Sequence, residues 1–170
     1  MMLLILHKTP IGCVDYLLKH TNKKYLSKQV LEIMQLLCSA GYSDVYDKIP
    51  QGKEIQNWIK SSHTNEMYLW IYLNYVFYLE VLTVKPETLK KYLKIYQDFT
   101  DKAIGNIADS TDIKSAIFRY KKEYESFIPS NTELPVEECI KEYRKYLDWK
   151  IKQNPEYFKK DISYYERNYY

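Results

Sequence analysis

The segment Tyr25–Ser39 combines an apolar row with a row of side chains that could do chemistry. At 3.6 residues per turn, one face of a helix would hold Leu26, Val30, Ile33 and Leu37. A second row, roughly opposite, contains a phenol, an amine, a carboxylate, an amide and a hydroxyl, from Tyr25, Lys28, Glu32, Gln35 and Ser39. A helix that packs with its first row and aligns these groups on its second can carry a functional site.

The same pattern has a simpler explanation, a solvated helix face with an ion pair between Lys28 and Glu32. In this pair the lysine precedes the glutamate, which is the less favourable order for helix stability. Helix propensity alone therefore does not explain the pair, and both interpretations stay open.

Length and composition indicate the architecture that must position this helix. A chain of 170 residues is long enough for one domain with a buried core. Only 4 glycines and 6 prolines interrupt it, and its apolar spacing is mostly helical. We therefore predict an all-α fold, a compact single-domain bundle over residues 1–153. Residues 154–170 form an aromatic and basic tail that packs on the bundle or extends from it.

Local signals give the boundaries of the predicted elements. Residues 1–6 are expected to form an extended segment that closes onto the core. Thr9 can cap the first helix, and Gly41 is a typical residue just after a helix end. The predicted helices are Pro10–His20, Lys23 to Gly41, Lys53–Ser61, Asn65–Leu82, Pro86 to Gly105, Ser110 or Thr111 to Ser126, and Val136–Gln153, with a polar loop over 128–134.

The helix Asn65–Leu82 is apolar on nearly every face, which predicts a buried position at the centre of the bundle. Trp70 and Phe77 are expected in its core. The run from Met67 to Val84 also reaches the length of a membrane span. It contains Asn74, Glu80 and several tyrosines spread along its length, which favours a buried helix of a soluble bundle over a membrane segment.

The motifs of several enzyme classes are absent from the sequence. There is no glycine-rich phosphate loop, no GxSxG or HExxH motif, and the histidines at 7, 20 and 63 are isolated. The three cysteines form no CxxC pair, which predicts a reducing compartment and no structural zinc. We therefore expect no metal and no cofactor. With no signal peptide apparent at Met1–Leu6, we expect a cytoplasmic or nuclear, not a secreted, location.

Basic and aromatic residues alternate in the C-terminal quarter of the chain. The helix 143–150 contains Arg144, Tyr146, Trp149 and Lys150, and Tyr157, Phe158, Lys159 and Lys160 follow it. This mixture suits phosphate contacts combined with stacking on bases. An amphipathic helix that docks its aromatic side chains on the core would give the same pattern, and a net charge of +3 does not decide between them.

Several segments together resemble a known family. They are Tyr25–Cys38 with Lys28, Glu32 and Gln35 in place, Trp58-Ile59-Lys60 with Ser62, Asn65 and Leu69, Leu134-Pro135-Val136-Glu137, Tyr143-Arg144-x-Tyr146, and the run from Leu147 to Tyr157. In order and spacing, over roughly a third of the chain, they resemble phage- and virus-borne relatives of the pyrimidine-dimer DNA glycosylase/AP lyase family.

The resemblance implies a helical, DNA-binding protein with its N-terminus beside Glu32. In that family the N-terminal amine attacks the sugar C1′ and forms a Schiff base, and a helix glutamate, here Glu32, assists. It implies a catalytic set of Glu32, Lys28, Tyr25 and Met2, with the N-terminus or Lys28 as the amine. Contacts to DNA would come from Lys60, Arg144, Tyr146, Lys150, Tyr157, Lys159 and Lys160.

Two classes of function follow. One is a DNA-acting enzyme of the glycosylase/lyase type, with DNA as its partner and no membrane association. The other is a non-catalytic helical interaction module of viral origin that has kept the fold.

Overall fold

The structure is a computed structural model that describes residues 3–49, 51–80, 84–105 and 111–159. Its elements are α1 (Pro10–His20), α2 (Lys23–Ser39), α3 (Lys53–Ser61), α4 (His63–Glu80), α5 (Pro86–Phe99) continued by a π-helical turn (Thr100–Ile104), β1 (Ser115–Phe118), β2 (Thr132–Pro135) and α6 (Val136–Gln153).

Local capping sets the limits of the first two helices, as the sequence predicts. The hydroxyl of Thr9 accepts a hydrogen bond from Gly12 N at 3.1 Å. The side chain of Asn22 caps α2 by accepting from Tyr25 N at 3.0 Å. Gly41 follows the end of α2 with a φ of 94°, the left-handed conformation that glycine adopts without strain. The predicted bounds of α1, α3 and α6 are confirmed, and α2 begins at Lys23 as predicted but ends at Ser39, two residues before Gly41.

Residues 3–6 lie in the core, as expected for the N-terminal segment. Their exposed fractions are between 0% and 4%. The segment is held by two side chains from the bundle. The thiol of Cys13 donates to Leu4 O at 3.3 Å, and Arg144 Nε donates to Leu6 O at 3.0 Å.

Helix α4 contacts α1, α2, α3 and α5, but it is not buried on every face. Its core face holds Tyr68, Leu69, Tyr72, Leu73 and Val76. Trp70 and Phe77, which we expected in the core, are half-buried, and Asn74 is exposed. The rings of both residues contact Tyr96 of α5, which covers this side of α4 incompletely. Within the described residues, no helix is both long and apolar enough to cross a membrane.

The predicted helix between residue 110 and Ser126 is wrong. Ser115–Phe118 is a strand that pairs antiparallel with Thr132–Pro135, so that Ala116 lies opposite Leu134 and Phe118 opposite Thr132. The polar loop predicted over 128–134 therefore ends in a strand. The fold is mostly helical with a small sheet, rather than purely α.

Tertiary hydrogen bonds explain why this segment is a strand. Tyr143 of α6 donates its hydroxyl hydrogen to Ile117 O at 2.6 Å and accepts from Arg119 N at 3.0 Å. Trp58 Nε1 donates to Ser115 O at 2.8 Å. These partners satisfy strand backbone groups that a helix would have bonded internally. Three successive residues, 116 to 118, are buried, because α3 and α6 both pack against β1.

We predict that the aromatic anchor of the sheet determines much of the stability. Phe118 is fully buried, with its ring centroid 5.0 Å from that of Tyr143, whereas Phe127 is fully exposed. Phe118→Ala should lower the free energy of unfolding by about 3–5 kcal/mol. The matched change Phe127→Ala should alter it by less than about 0.5 kcal/mol. Urea denaturation measures both, and equal effects would contradict this packing.

Candidate functional site

Three residues of the polar row of α2, Tyr25, Lys28 and Glu32, line a cleft rather than facing open solvent alone. Tyr25, at the first turn, is 1% exposed, and Gln29 is 2% exposed. Lys28 is exposed and Glu32 is half-buried. Gln29 Nε2 donates to Glu32 Oε2 at 3.3 Å, which orients the carboxylate. The expectation of one uniform polar row is therefore corrected at Tyr25, because Phe158 packs against its ring at 5.0 Å.

A cleft of about 240 Å³ lies between α2, α6 and the segment that follows β1. We call it the basic cleft. It is lined by Tyr25, Lys28, Gln29, Glu32, Arg119, Tyr120, Lys121 and Lys150. Four of these side chains are basic and one is acidic, so the cleft favours an anion over a cation.

Lys150 lines the basic cleft, yet only 6% of its surface is exposed. Its Nζ lies 3.5 Å from Tyr25 Oη, the outer limit of a hydrogen bond. The same nitrogen lies 5.1 Å from the ring centroid of Tyr25 and 5.6 Å from that of Tyr146. The ammonium is therefore held between two aromatic faces, which compensates part of its lost hydration.

Burial lowers the pKa of Lys150 to about 8. The nearby charges of Lys121 and Lys28 lower this pKa further, and Glu32 acts in the opposite direction. At pH 7 about one tenth of Lys150 is then neutral, compared with a trace for an ordinary lysine. Burial, and next the carboxylate of Glu32, raises the pKa of Tyr25, so the phenol stays protonated.

Arg119 contributes a hydrogen-bond donor to which the described residues offer no acceptor. Its Nη1 is buried and makes no hydrogen bond within the part of the chain that the structure describes. A buried guanidinium nitrogen without an acceptor is costly, and this one is closed off from solvent beside Gly52. The backbone position of Arg119 is fixed, because its N–H donates to Tyr143 Oη.

The structure brings together residues that the sequence assigned to two separate sets. Tyr25, Lys28 and Glu32, predicted as catalytic, share the basic cleft with Lys150, predicted to contact DNA. Met2, the fourth predicted catalytic residue, lies outside the described residues. So does Lys160.

Arg144 and Tyr146 do not join that cleft as predicted DNA contacts. Arg144 hydrogen-bonds to Leu6 O, and its guanidinium lies 4.5 Å from the ring centroid of Tyr16. Arg144 and Lys150 lie about 120° apart around α6, and they do not form the single surface we expected. Tyr146 is fully buried, which leaves no ring face for a base.

Lys60, another predicted DNA contact, is exposed on α3 and does not line the basic cleft.

Tyr157 and Lys159, also predicted to contact DNA, lie near the start of α2. Asn22 Nδ2 donates to the carbonyl oxygens of Tyr157 at 2.6 Å and Lys159 at 3.1 Å, which fixes residues 157–159 beside α2. Lys159 lines a hollow of about 500 Å³ with Asn22, Lys23, Lys24 and Ser27. This hollow adds three lysines near the first turn of α2.

Sequence reasoning missed Gln29, Arg119, Tyr120 and Lys121. Gln29 lies one residue from the predicted row, and its burial was not apparent from spacing. The other three were assigned to a helix that does not form. One signal was available, because Arg119 is one of only three arginines in a chain rich in lysine.

No protein-family model, curated protein or solved structure is significantly similar to this chain. The resemblance to the glycosylase/lyase family therefore stays a prediction from its sequence motifs.

We predict that burial of Lys150 reduces stability. Because folding lowers its pKa from 10.5 to about 8, the unfolded chain binds this proton more tightly. Below about pH 8 both states are protonated, and the full penalty, on the order of 1–3 kcal/mol, is present. Lys150→Met should therefore raise the free energy of unfolding at pH 7.

The pH dependence has a defined sign. Between about pH 8 and 10.5 the unfolded wild type binds more protons than the folded state, so its stability rises with pH. The advantage of Lys150→Met should shrink across this window in urea denaturation. Lys152→Met, at a side chain that is 74% exposed, is the matched control and should show little change. A Lys150→Met variant less stable than wild type at pH 7 would contradict the assignment.

Proposed function

We propose that this protein binds DNA in the basic cleft and acts on a deoxyribose there, as a glycosylase or AP lyase does. The observation that supports this most directly is the position of Glu32. It is a half-buried carboxylate in a cleft whose other charged side chains are all basic.

The basic side chains suit a sugar-phosphate backbone. Lys28, Lys121 and Arg119 come from two separate parts of the chain and converge on one cleft. Neighbouring phosphates of a nucleic acid strand need several cations spaced along a surface, rather than one point of charge. A second hollow shares Lys121 and Lys150 with the cleft and adds one basic and one acidic side chain, Lys122 and Glu123.

Glu32 can provide the chemistry that distinguishes an enzyme from a binding protein. When the bond between a base and C1′ breaks, positive charge develops on the sugar. A carboxylate held by Gln29 would stabilise that charge without reorganisation. The surrounding cations hold the phosphates, so the two kinds of charge have separate roles.

One aromatic group of the cleft suits displacement of a base from the duplex. Tyr120 lines the cleft and is half-buried. Enzymes that act on the sugar or base of a nucleotide inside a duplex must extrude it, and exposed rings can take its place or stack on it.

The first test is the salt dependence of DNA binding. Lys28→Ala/Lys121→Ala should weaken binding of a duplex oligonucleotide and reduce the slope of log affinity against log salt by about 1–2. Fluorescence anisotropy over a range of salt concentrations measures this. The control is Lys85→Ala/Lys90→Ala, a pair of exposed lysines at and near the start of α5. Equal loss in the two double variants would contradict binding at the basic cleft.

The second test concerns catalysis. Glu32→Gln preserves shape and should reduce incision of an abasic duplex by about 10²-fold or more, while affinity for DNA stays the same or rises. A gel assay of strand cleavage under single-turnover conditions separates the two effects. An unchanged cleavage rate would place the chemistry away from Glu32.

One observation favours the second candidate, a non-catalytic interaction module. Arg144 and Tyr146, both in the motif that carries the resemblance, are used in packing α6 against the core. In that case the wild type would bind DNA with a normal salt slope and leave abasic DNA uncut.

A further inference from the structure

We infer that the ε-amine of Lys150 is the nucleophile of the proposed reaction and forms a Schiff base with the C1′ aldehyde of an abasic deoxyribose. This inference rests on the proposed function, and it names a different amine from those that the sequence resemblance implies.

Position is the first argument. Among the described residues that line the basic cleft, the amines are those of Lys28, Lys121 and Lys150. Only Lys150 combines this position with burial, since Lys28 and Lys121 are exposed at the surface. Its Nζ is also held by two aromatic rings and approached by the hydroxyl of Tyr25. A nucleophile restrained in this way loses little freedom when it reacts.

Charge is the second argument. An amine attacks a carbonyl carbon only when it is neutral, and a lysine does so when burial or neighbouring cations disfavour its ammonium form. Lys150 has both influences, and its lowered pKa of about 8 raises the neutral fraction at pH 7 by roughly 300-fold over an ordinary lysine. Burial is thus the main influence that makes Lys150 a nucleophile, and Lys121 and Lys28 add to it.

The reaction balances with residues of the cleft and water. The lone pair of Lys150 Nζ adds to C1′, and its proton passes to the aldehyde oxygen, which gives a carbinolamine. A proton from solvent water then adds to the carbinolamine hydroxyl, which leaves as water and gives the protonated Schiff base. Glu32, the carboxylate in the cleft, then removes a proton from C2′. A double bond forms between C2′ and C3′, the C3′–O bond breaks, and the 3′-phosphate leaves. Water hydrolyses the imine and restores the amine.

Tyr25 has a positioning role in this scheme. It stays protonated, and its hydroxyl oxygen accepts a hydrogen bond from Nζ, which leaves the lone pair of the neutral amine free to attack. Phe158 packs on its ring, and Asn22 holds the backbone next to Phe158. The segment 157–159 thus keeps Tyr25 against Lys150.

The experiment is borohydride trapping of the full-length protein on an oligonucleotide with one abasic site, followed by peptide mapping of the reduced adduct by mass spectrometry. We expect the adduct on Lys150 in the wild type. Lys150→Met should reduce trapping by at least about 100-fold while DNA affinity changes only a few-fold. Lys152→Met, on the same helix and outside the cleft, should trap like wild type.

The pH profile distinguishes a reacting amine from a structural one. The trapping rate of the wild type should rise with a midpoint near pH 8. Because Glu32 raises the pKa of Lys150, Glu32→Gln should move this midpoint to lower pH. Lys121→Ala should move it to higher pH, because one repelling cation is lost. A midpoint unaffected by either change would overturn the inference.

The outcomes separate this inference from the proposed function. An adduct on the N-terminal peptide or on Lys28, with normal trapping by Lys150→Met, overturns the role of Lys150 and leaves the proposed function standing. No adduct in a wild type that still cleaves abasic DNA overturns the inference alone. Tight DNA binding with neither adduct nor cleavage overturns the inference and the catalytic part of the proposed function. No DNA binding at all overturns both. Mapping of the wild-type adduct does not depend on whether any variant folds.

Discussion

The arrangement of the candidate site depends on two tyrosine hydroxyls of α6. Tyr143 and Tyr146 lie three residues apart on one face of the helix, and both are fully buried. Tyr143 Oη accepts from Arg119 N, and Tyr146 Oη accepts from Lys121 N at 3.4 Å. These two bonds fix the backbone of Arg119 and Lys121 in the segment after β1. They therefore determine the positions from which the two basic side chains extend. Without them the basic cleft would lack one wall.

The same helix also delivers Lys150, one turn after Tyr146. A buried ammonium with Lys121 and Lys28 nearby is unfavourable for folding, and Glu32 offsets only part of this cost. Natural proteins retain such unfavourable groups mainly where they serve function. The buried Nη1 of Arg119, which makes no hydrogen bond within the described residues, is a second cost of this kind.

Much of the helical part of the fold was predictable, because its signals are local. Thr9, Pro10 and Gly41 mark helix ends through hydrogen bonds and dihedral angles within a few residues. The apolar row of α2 was predictable for a similar reason, since 3.6-residue spacing alone decides which side chains share a face. The prediction that Glu32 and Lys28 would face one site followed from this spacing.

What the tertiary structure decided involves residues far apart in the chain. The segment after residue 110 forms a strand, because Tyr143 and Trp58 bond its backbone and Thr132–Pro135 pairs with it. Arg144 packs on the N-terminal segment and α1, whereas Lys150 faces α2, because α6 lies between them. The sequence by itself determined the helices and the two faces of α2, whose causes are local. The residues that pack against those faces come from distant parts of the chain. The pKa of Lys150 is low because these distant parts together bury its side chain away from water.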